Sequence, residues 1–323
     1  MKKYNHSKNI RNMKIRRFST AVCCAMLLTL MLSCDNGERF GEEMYKNVFA
    51  LISDNDNVYS AVHSFENEIS EGFVSIYCGG TRPVAEDVTI ELEYDTLVVD
   101  AYNYRYYDLD SSRYSKMLDA SHFDMLSFTA TIKAGQPDPY VTFPLQIHTA
   151  GISPDSIYFI PLRIKRLSRE YEINPEKVSV MYRPFMENRY AQTKVSTTYS
   201  SRGEKEGKEI VSTKKMYPLT ATKSRITVDT QTGLTDNITD LNLIWRYAII
   251  LTVGDDNLVT LSPYGAIEVE PLGEPDENRY EERDFKRFYL HYRYRTLTAP
   301  ASSTSEAAYG AWSEIVETLK RQN

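Results

Sequence analysis

The chain has 323 residues, of which 42% are hydrophobic, and a formal net charge of −6 at pH 7. An acidic chain lacks the positive surface that displaces counterions from nucleic acid or holds a protein on anionic lipid by charge alone, which argues against both partners. Four cysteines cannot staple a chain of this length, so packed apolar cores must hold it together.

The N-terminal region has the features of a lipoprotein export signal. A cationic segment at residues 14–17 precedes an apolar run at residues 18–33, which ends before Cys34. The run is shorter than the roughly 20 apolar residues of a membrane-spanning helix, so we expect cleavage and not a permanent span. We predict that residues 1–33 are the signal peptide and that Cys34 is lipidated and begins the mature chain. A start of translation at Met13 would give a signal of ordinary length.

The mature chain is more acidic than the whole. The signal carries seven basic residues and no acidic one, which leaves 31 basic and 44 acidic residues and a formal charge of −13. Beside Cys34 the mature chain keeps Cys78, which has no partner for an intramolecular disulfide. Residues 34–43 are short and polar, as expected of a tether. The remaining length predicts two domains, at residues 44–184 and 185–323.

The first predicted domain alternates apolar and polar positions, the period-two pattern of strands with one buried face. Residues 44–52 fit either a helix or a first strand. Cys78 shares the apolar face of its segment, and we expect it in the core. Strands are predicted at residues 74–78, 88–94, 128–132, 141–147 and 158–164. Short turns and the lack of regular helices predict an antiparallel, immunoglobulin-like sandwich.

The second predicted domain resumes the alternation after a polar stretch. Residues 193–215 predict a hairpin with an exposed, charged tip, because the charges there are of mixed sign. Residues 241–251 predict a strand with one continuous apolar face, which would place Trp245 in the core. Residues 305–321 fit a helix or a closing strand. The pattern leaves open whether this all-β domain is a sandwich or a barrel.

Residues 102–108 are the strongest candidate for a binding site. Tyr104, Tyr106 and Tyr107 stand there beside Asn, Arg and Asp side chains. Sugar rings stack their C–H faces on aromatic rings while polar neighbours bond the hydroxyls, so an exposed aromatic loop of this composition suits carbohydrate binding. In a strand, alternation would instead bury part of these tyrosines in the core. Trp312, set among Ser, Glu and Gly, is a further carbohydrate-binding candidate.

The sequence carries no signature of catalysis or metal binding. The histidines after the signal are scattered, at His63, His122, His148 and His291. Asp108 and Asp110 lie in a predicted loop with no obvious general acid beyond them. Nucleophile-elbow, phosphate-binding and dinucleotide-binding motifs are absent from the sequence. We therefore predict no enzyme activity, no cofactor and no metal.

Several segments in both halves of the chain occur in the order that is found in a known protein family. In the first half they are Tyr102-Asn103, the region of Tyr114, IKAG at 132–135 and YFIPLRI at 158–164. In the second half they are the stretch from Thr260 to YGAIEV at 264–269, and LHYRY at 290–294. The segments of the first half resemble the N-terminal domain of unknown function of Bacteroidetes-type surface lipoproteins, which is similar to the domain that precedes family 18 endoglycosidase modules. Those of the second half are similar to the β-rich C-terminal domain of non-catalytic members.

The resemblance implies an outer-membrane protein, held by its lipid anchor alone and facing the cell exterior, in a starch-utilisation-like glycan uptake system. Its ligand would be a glycan, bound without cleavage. Its partners would be a porin-like importer and the lid lipoprotein of that importer. Two alternatives stay open: a pilin-like or adhesin structural subunit, since such precursors are also lipoproteins built of β-sandwiches, and an endoglycosidase-associated protein with hydrolytic activity.

Overall fold

The computed structural model describes residues 45–229, 241–301, 303 and 305–322. The predicted signal peptide, Cys34 and the tether lie outside these residues. Within them the chain is all-β, with two domains built of curled sheets, which confirms the predicted fold class. None of the described helices is both long and apolar enough to cross a membrane.

The first domain is a sandwich of two sheets. Its strands are β1 Val48–Leu51, β2 Val58–Ser64, β3 Ile69–Gly79, β4 Val88–Tyr94, β5 Lys116–Met117, β6 Phe123–Met125, β7 Thr129–Ile132, β8 Tyr140–His148, β9 Tyr158–Leu167, β10 Glu172–Ile173 and β11 Ser179–Glu187. Its α-helix is α1, Thr96–Tyr107. One sheet has the order β10-β1-β3-β8-β6, and the other has the order β2-β11-β9-β4-β7 with β5 beside β9.

Alternation along the strands builds the core of this sandwich. In β8, Phe143 and Leu145 are buried while Thr142 and Pro144 face solvent. Cys78 is buried as predicted, and burial raises the pKa of its thiol to about 11. Most strand pairs are antiparallel, as predicted, but β1 with β10, β2 with β11 and β5 with β9 run parallel.

The second domain is one strongly curled sheet. Its strands are β12 Thr197–Lys205, β13 Lys208–Pro218, β14 Lys223–Thr227, β15 Ala248–Val253, β16 Val259–Pro263, β17 Ile267–Pro271, β18 Arg279–Glu282, β19 Lys286–Ala299, β20 Ala308–Tyr309 and β21 Ser313–Arg321, and its α-helix is α2, Leu241–Tyr247. The order is β16-β15-β14-β13-β12-β21-β19-β17, with β18 and β20 also paired to β19. Because β16 and β17 at the two ends lie close together, the sheet encloses its apolar core as a half-barrel.

The structure corrects the predicted loop at residues 102–108, because most of this segment belongs to α1. The helical spacing of four brings the rings of Tyr102 and Tyr106 to a centroid distance of 4.6 Å. Asn103, which lies between these two tyrosines in the sequence, is buried. Its side-chain amide forms two hydrogen bonds with the backbone of Ser115, at 2.8 and 2.9 Å. These contacts hold a helix whose β-branched first turn favours a strand by itself.

Residues 241–251 are not one strand, and Trp245 is not in the core. The segment folds as α2 followed by β15, so the alternation breaks at Ala248. Trp245 is 53% exposed. Its indole lies against Gly265, where an added Cβ would overlap the Trp245 ring. The side chain therefore covers a turn of backbone instead of filling the interior.

Both segments that the sequence left open contain strands. Residues 44–52 contain β1, and residues 305–321 contain β20 and β21. The predicted hairpin at 193–215 is present as β12 and β13, with Glu206 and Gly207 at positive φ in its tip. It is not peripheral, because β21 pairs with β12 and places this hairpin in the middle of the sheet.

The two domains meet directly after β11. The buried cluster of the first domain extends to Met186, and that of the second domain begins at Tyr190. Between them, the side-chain amide of Asn188 donates hydrogen bonds to the carbonyl oxygens of Thr220 and Lys223, at 2.7 and 3.0 Å. The predicted boundary after residue 184 falls inside β11, which runs as one strand to the junction.

Gly203 is expected to resist replacement. A Cβ at this position of β12 would overlap the carbonyl oxygen of Val316 and lie 2.7 Å from Cα of Glu317. Since both are backbone atoms of the neighbouring strand, Gly203→Ala should lower the free energy of unfolding by about 1–3 kcal/mol, measured by urea denaturation. Gly310→Ala is the control, because its Cβ would meet nothing closer than 3.7 Å. Equal stability of the two variants would contradict the prediction.

Candidate ligand-binding site

The three candidate tyrosines project from helix α1 in different directions and differ in exposure. Tyr104 and Tyr106 are 67% and 44% exposed, while Tyr107 is half-buried. Asp56, which pairs with Arg105 at 3.2 Å, lies beside Tyr106 and raises the pKa of its hydroxyl. Of the three side chains, that of Tyr104 is the most accessible to a ligand that binds on the open surface, and that of Tyr107 is the best placed to line a pocket.

Tyr107 lines a cavity of about 130 Å³ at the junction of the two domains. Its aromatic lining residues are Tyr107, Tyr114, Tyr158, Phe185 and Tyr217, and its charged lining residues are Arg113, Lys116, Asp155 and Arg183. We call it the junction cavity, because Tyr217 belongs to β13 of the second domain and most other residues to the first. It is smaller than the roughly 300–1,000 Å³ of pockets for drug-sized ligands, so it suits one sugar residue or one substituent.

Arg113 stands over the ring of Tyr107, with its guanidinium carbon 5.1 Å from the ring centroid. Its Nε is buried and has no hydrogen-bond partner among the described residues. An unpaired buried donor is costly, and it is the kind of group that a ligand acceptor satisfies.

Arg183 lies on β11 and stacks on Phe185, at 4.3 Å from the ring centroid. Burial lowers the pKa of its guanidinium, and electrostatic interaction with Tyr102 and Tyr107 partly opposes this shift. The group nevertheless stays charged at neutral pH, because the guanidinium does not deprotonate in proteins. The structure thus places a second cation beside the Tyr107 ring.

Asp155 is the acid of the cavity lining, and its charge is already engaged. Arg225 of β14 approaches its carboxylate at 2.6 Å, with the arginine side chain 3% exposed. Tyr264 donates a hydrogen bond to the same carboxylate, and burial, together with this bond, raises the pKa of Tyr264 to about 12. Arg225 also stacks on Tyr217, at 4.6 Å from the ring centroid. These contacts fasten the loop before β9 to the second domain.

Trp312 lies in the second domain, directly before β21, and does not line the junction cavity. Arg293 and Arg295, on the outer face of β19, stand over its indole at 4.6 and 4.7 Å. Each of these arginines is also paired with a glutamate of β17. The two guanidinium groups stack on the Trp312 indole, so a sugar could contact only the part of the ring that they leave exposed.

Sequence reasoning named Tyr107 and missed the charged residues around it. Arg113, Asp155 and Arg183 come from three separate segments, and no local spacing connects them. One signal was present in the sequence: Arg183 is a charged residue within β11, and the residues on either side of it are mostly apolar. No group of three or more potential metal ligands occurs in the described parts of the chain.

Fold and cavity together define a two-domain, all-β protein with an aromatic and cationic cavity between its domains. Residues 43–170 match a family model for an N-terminal domain, and residues 178–320 match a family model for a C-terminal domain. The chain therefore carries both domains that these models describe, in the order that their names require. No curated protein matches the chain.

Similar solved structures come from Bacteroides species. A protein of unknown function from Bacteroides ovatus has a TM-score of 0.60 at 13% identity, over 84% of this chain and 94% of that one. A multidomain protein including DUF1735, from the same species, has a TM-score of 0.56 at 11% identity, over 84% and 93%. An auxiliary nutrient binding protein from Bacteroides thetaiotaomicron VPI-5482 has a TM-score of 0.51 at 17% identity, over 83% and 92%. At these identities the likeness concerns the fold.

Proposed function

We propose that the protein is a cell-surface lipoprotein that binds glycan in the junction cavity without cleaving it. The observation that carries the proposal is the lining itself, where aromatic rings and fixed cations surround a space of about 130 Å³. Rings offer apolar faces to a sugar, and charged or hydroxyl groups bond its oxygens, which together give both affinity and orientation.

The fold supports the proposed binding function by analogy. One similar structure is described as an auxiliary nutrient binding protein, and it shares both domains over most of its length. Fold alone does not specify function, so the analogy adds to the cavity and does not replace it.

The predicted export signal supports a place of action at the cell surface. Lipidation at Cys34 would hold the two domains at the outer membrane, facing the cell exterior, with the lipid as the anchor. A binder tethered there would raise the local concentration of glycan beside a porin-like importer and its lid lipoprotein. Incorporation of labelled palmitate, abolished by Cys34→Ser, tests the anchor, and protease treatment of intact cells tests the exposure.

The cavity suits binding better than hydrolysis. Glycosidases use a pair of carboxylates, one of which must be free to donate a proton. Among the described lining residues Asp155 is the one carboxylate, and Arg225 and Tyr264 already hold it. We therefore expect no product when the protein is incubated with a labelled N-glycan, and release of product would favour the hydrolytic alternative.

Tyr107→Ala is expected to weaken glycan binding about tenfold or more, because it removes the aromatic surface next to both cavity arginines. Binding would be measured by calorimetry with the tightest ligand from a panel of host and plant glycans. Thermal unfolding of the variant would show that the domains remain folded.

Two variants of the same chemistry serve as controls. Tyr104→Ala removes an exposed ring of the same helix, and Trp312→Ala removes the ring on the second domain. We expect both to bind like the unmodified protein. Normal binding by Tyr107→Ala with a loss in Trp312→Ala would move the site to the outer face of β19, and failure of every glycan to bind would end the proposal.

A further inference from the structure

The junction cavity is cationic in a protein that is otherwise acidic. Arg113, Lys116 and Arg183 line it against one acid, Asp155, whose charge Arg225 already matches. In the described part of the chain, neither Arg113 nor Arg183 has a carboxylate within ion-pair distance, and both stack on aromatic rings instead. The whole chain has a formal net charge of −6, so this surplus of positive charge is local and opposes the field of the rest of the molecule.

The cavity cations also lack hydrogen-bond acceptors. The Nε of Arg113 is buried and unpartnered among the described residues, and Arg183 is half-buried on β11. A guanidinium removed from water is stabilised by an opposite charge or by acceptors, and the stacked rings supply neither in full. Its planar fork of N–H groups matches the oxygens of a carboxylate or a sulfate.

We infer that the junction cavity recognises an acidic sugar, whose carboxylate or sulfate group pairs with Arg113 and Arg183 while its ring contacts the aromatic lining. The inference rests on the proposed glycan-binding function and specifies the class of sugar. A cavity of about 130 Å³ admits one such residue, so the acid would be a terminal unit or a side branch of the glycan.

The test compares sugars that differ at one carbon. Methyl galacturonide, methyl galactoside 6-sulfate and methyl galactoside share one ring and differ at C6, and the glucuronide, glucoside 6-sulfate and glucoside repeat the series with the other C4 configuration. Calorimetry at millimolar sugar should give at least one acid that binds about tenfold or more tightly than its neutral counterpart. Preference for the uronide or for the sulfate identifies the source of the negative charge, and either result supports the inference.

Arg183→Gln and Arg113→Gln should each remove most of this preference, because the acidic sugar loses its charge partner and should lose far more affinity than the neutral sugar. Arg163→Gln is the matched control, because Arg163 is half-exposed and pairs with Glu93 outside the cavity. It should keep the preference. If Arg183→Gln unfolds, Arg113→Gln and the fall of acid binding with rising salt carry the test.

The outcomes separate the inference from the function on which it rests. Equal binding of acidic and neutral sugars would overturn the acidic class and leave the glycan-binding function standing. Inorganic sulfate binding as tightly as the sugar acids would overturn recognition of the sugar itself. Failure of every sugar and glycan to bind would overturn both proposals. Retention of the acid preference in both arginine variants would overturn the assignment of the site.

Discussion

Glu317→Ala is expected to lower the free energy of unfolding by about 3–5 kcal/mol, the cost of leaving a buried charge without its partner. The side chains of Glu317 and Lys214 are 0% and 1% exposed inside the half-barrel, and Lys214 Nζ lies 2.6 Å from Glu317 Oε1. Ser201 and Tyr292 donate hydrogen bonds to the same carboxylate, at 2.6 and 2.8 Å. Alanine would strand the ammonium group and two hydroxyls, and urea denaturation would measure the loss.

A double replacement separates the buried charges from the volume they fill. Lys214→Met with Glu317→Gln removes both charges and keeps an oxygen that can accept from Tyr292, so its loss of stability should be well below that of Glu317→Ala. The single Lys214→Met leaves the carboxylate unpaired and should resemble Glu317→Ala. A loss under about 1 kcal/mol in both single variants would show that water reaches this network.

Acidification from pH 6.5 to about 4 is expected to lower the free energy of unfolding by about 3 kcal/mol through His63. His63 is fully buried, with Nδ1 2.9 Å from Ser70 Oγ and Nε2 2.7 Å from the Tyr182 hydroxyl. Burial lowers its pKa from 6.5 to about 4. Between these pH values His63 is protonated in the unfolded chain and neutral in the folded chain. The free energy of unfolding is therefore highest above pH 6.5 and declines as the pH falls to 4.

Urea denaturation across this pH range, with the unmodified protein and His63→Gln, isolates the histidine. The variant starts from a lower stability, but its decline between pH 6.5 and 4 should be shallower. His148→Gln, which changes a half-exposed histidine near Asp124, should keep the full decline. Parallel curves for the unmodified protein and His63→Gln would mean that His63 titrates normally in the folded state.

Much of the fold was predictable because burial on one face leaves a period of two in the sequence. The strand predicted at 88–94 coincides with β4, and that predicted at 141–147 lies within β8. The helices were not predictable in this way. In α1 the β-branched and aromatic residues favour a strand locally, and tertiary contacts such as Tyr102 against Phe159 decide otherwise.

The candidate site was predictable only in part, for a related reason. Tyr107 belongs to a dense run of tyrosines, which the sequence displays directly. Arg113, Asp155 and Arg183 reach the same cavity through the pairing of β11 with β9 and the packing of α1 on both. Such convergence depends on topology, and a single sequence carries no periodic signal for it.

The ion pair between Asp155 and Arg225 links the two domains beside the junction cavity. Because each partner belongs to a different domain, the walls of the cavity keep their spacing only while the halves stay joined. If the two domains were separated, each would keep one unpaired charge, and the cavity would lose one of its walls. A sugar that touched both walls would bridge the two domains, so ligand binding should also raise the resistance of the domain junction to opening.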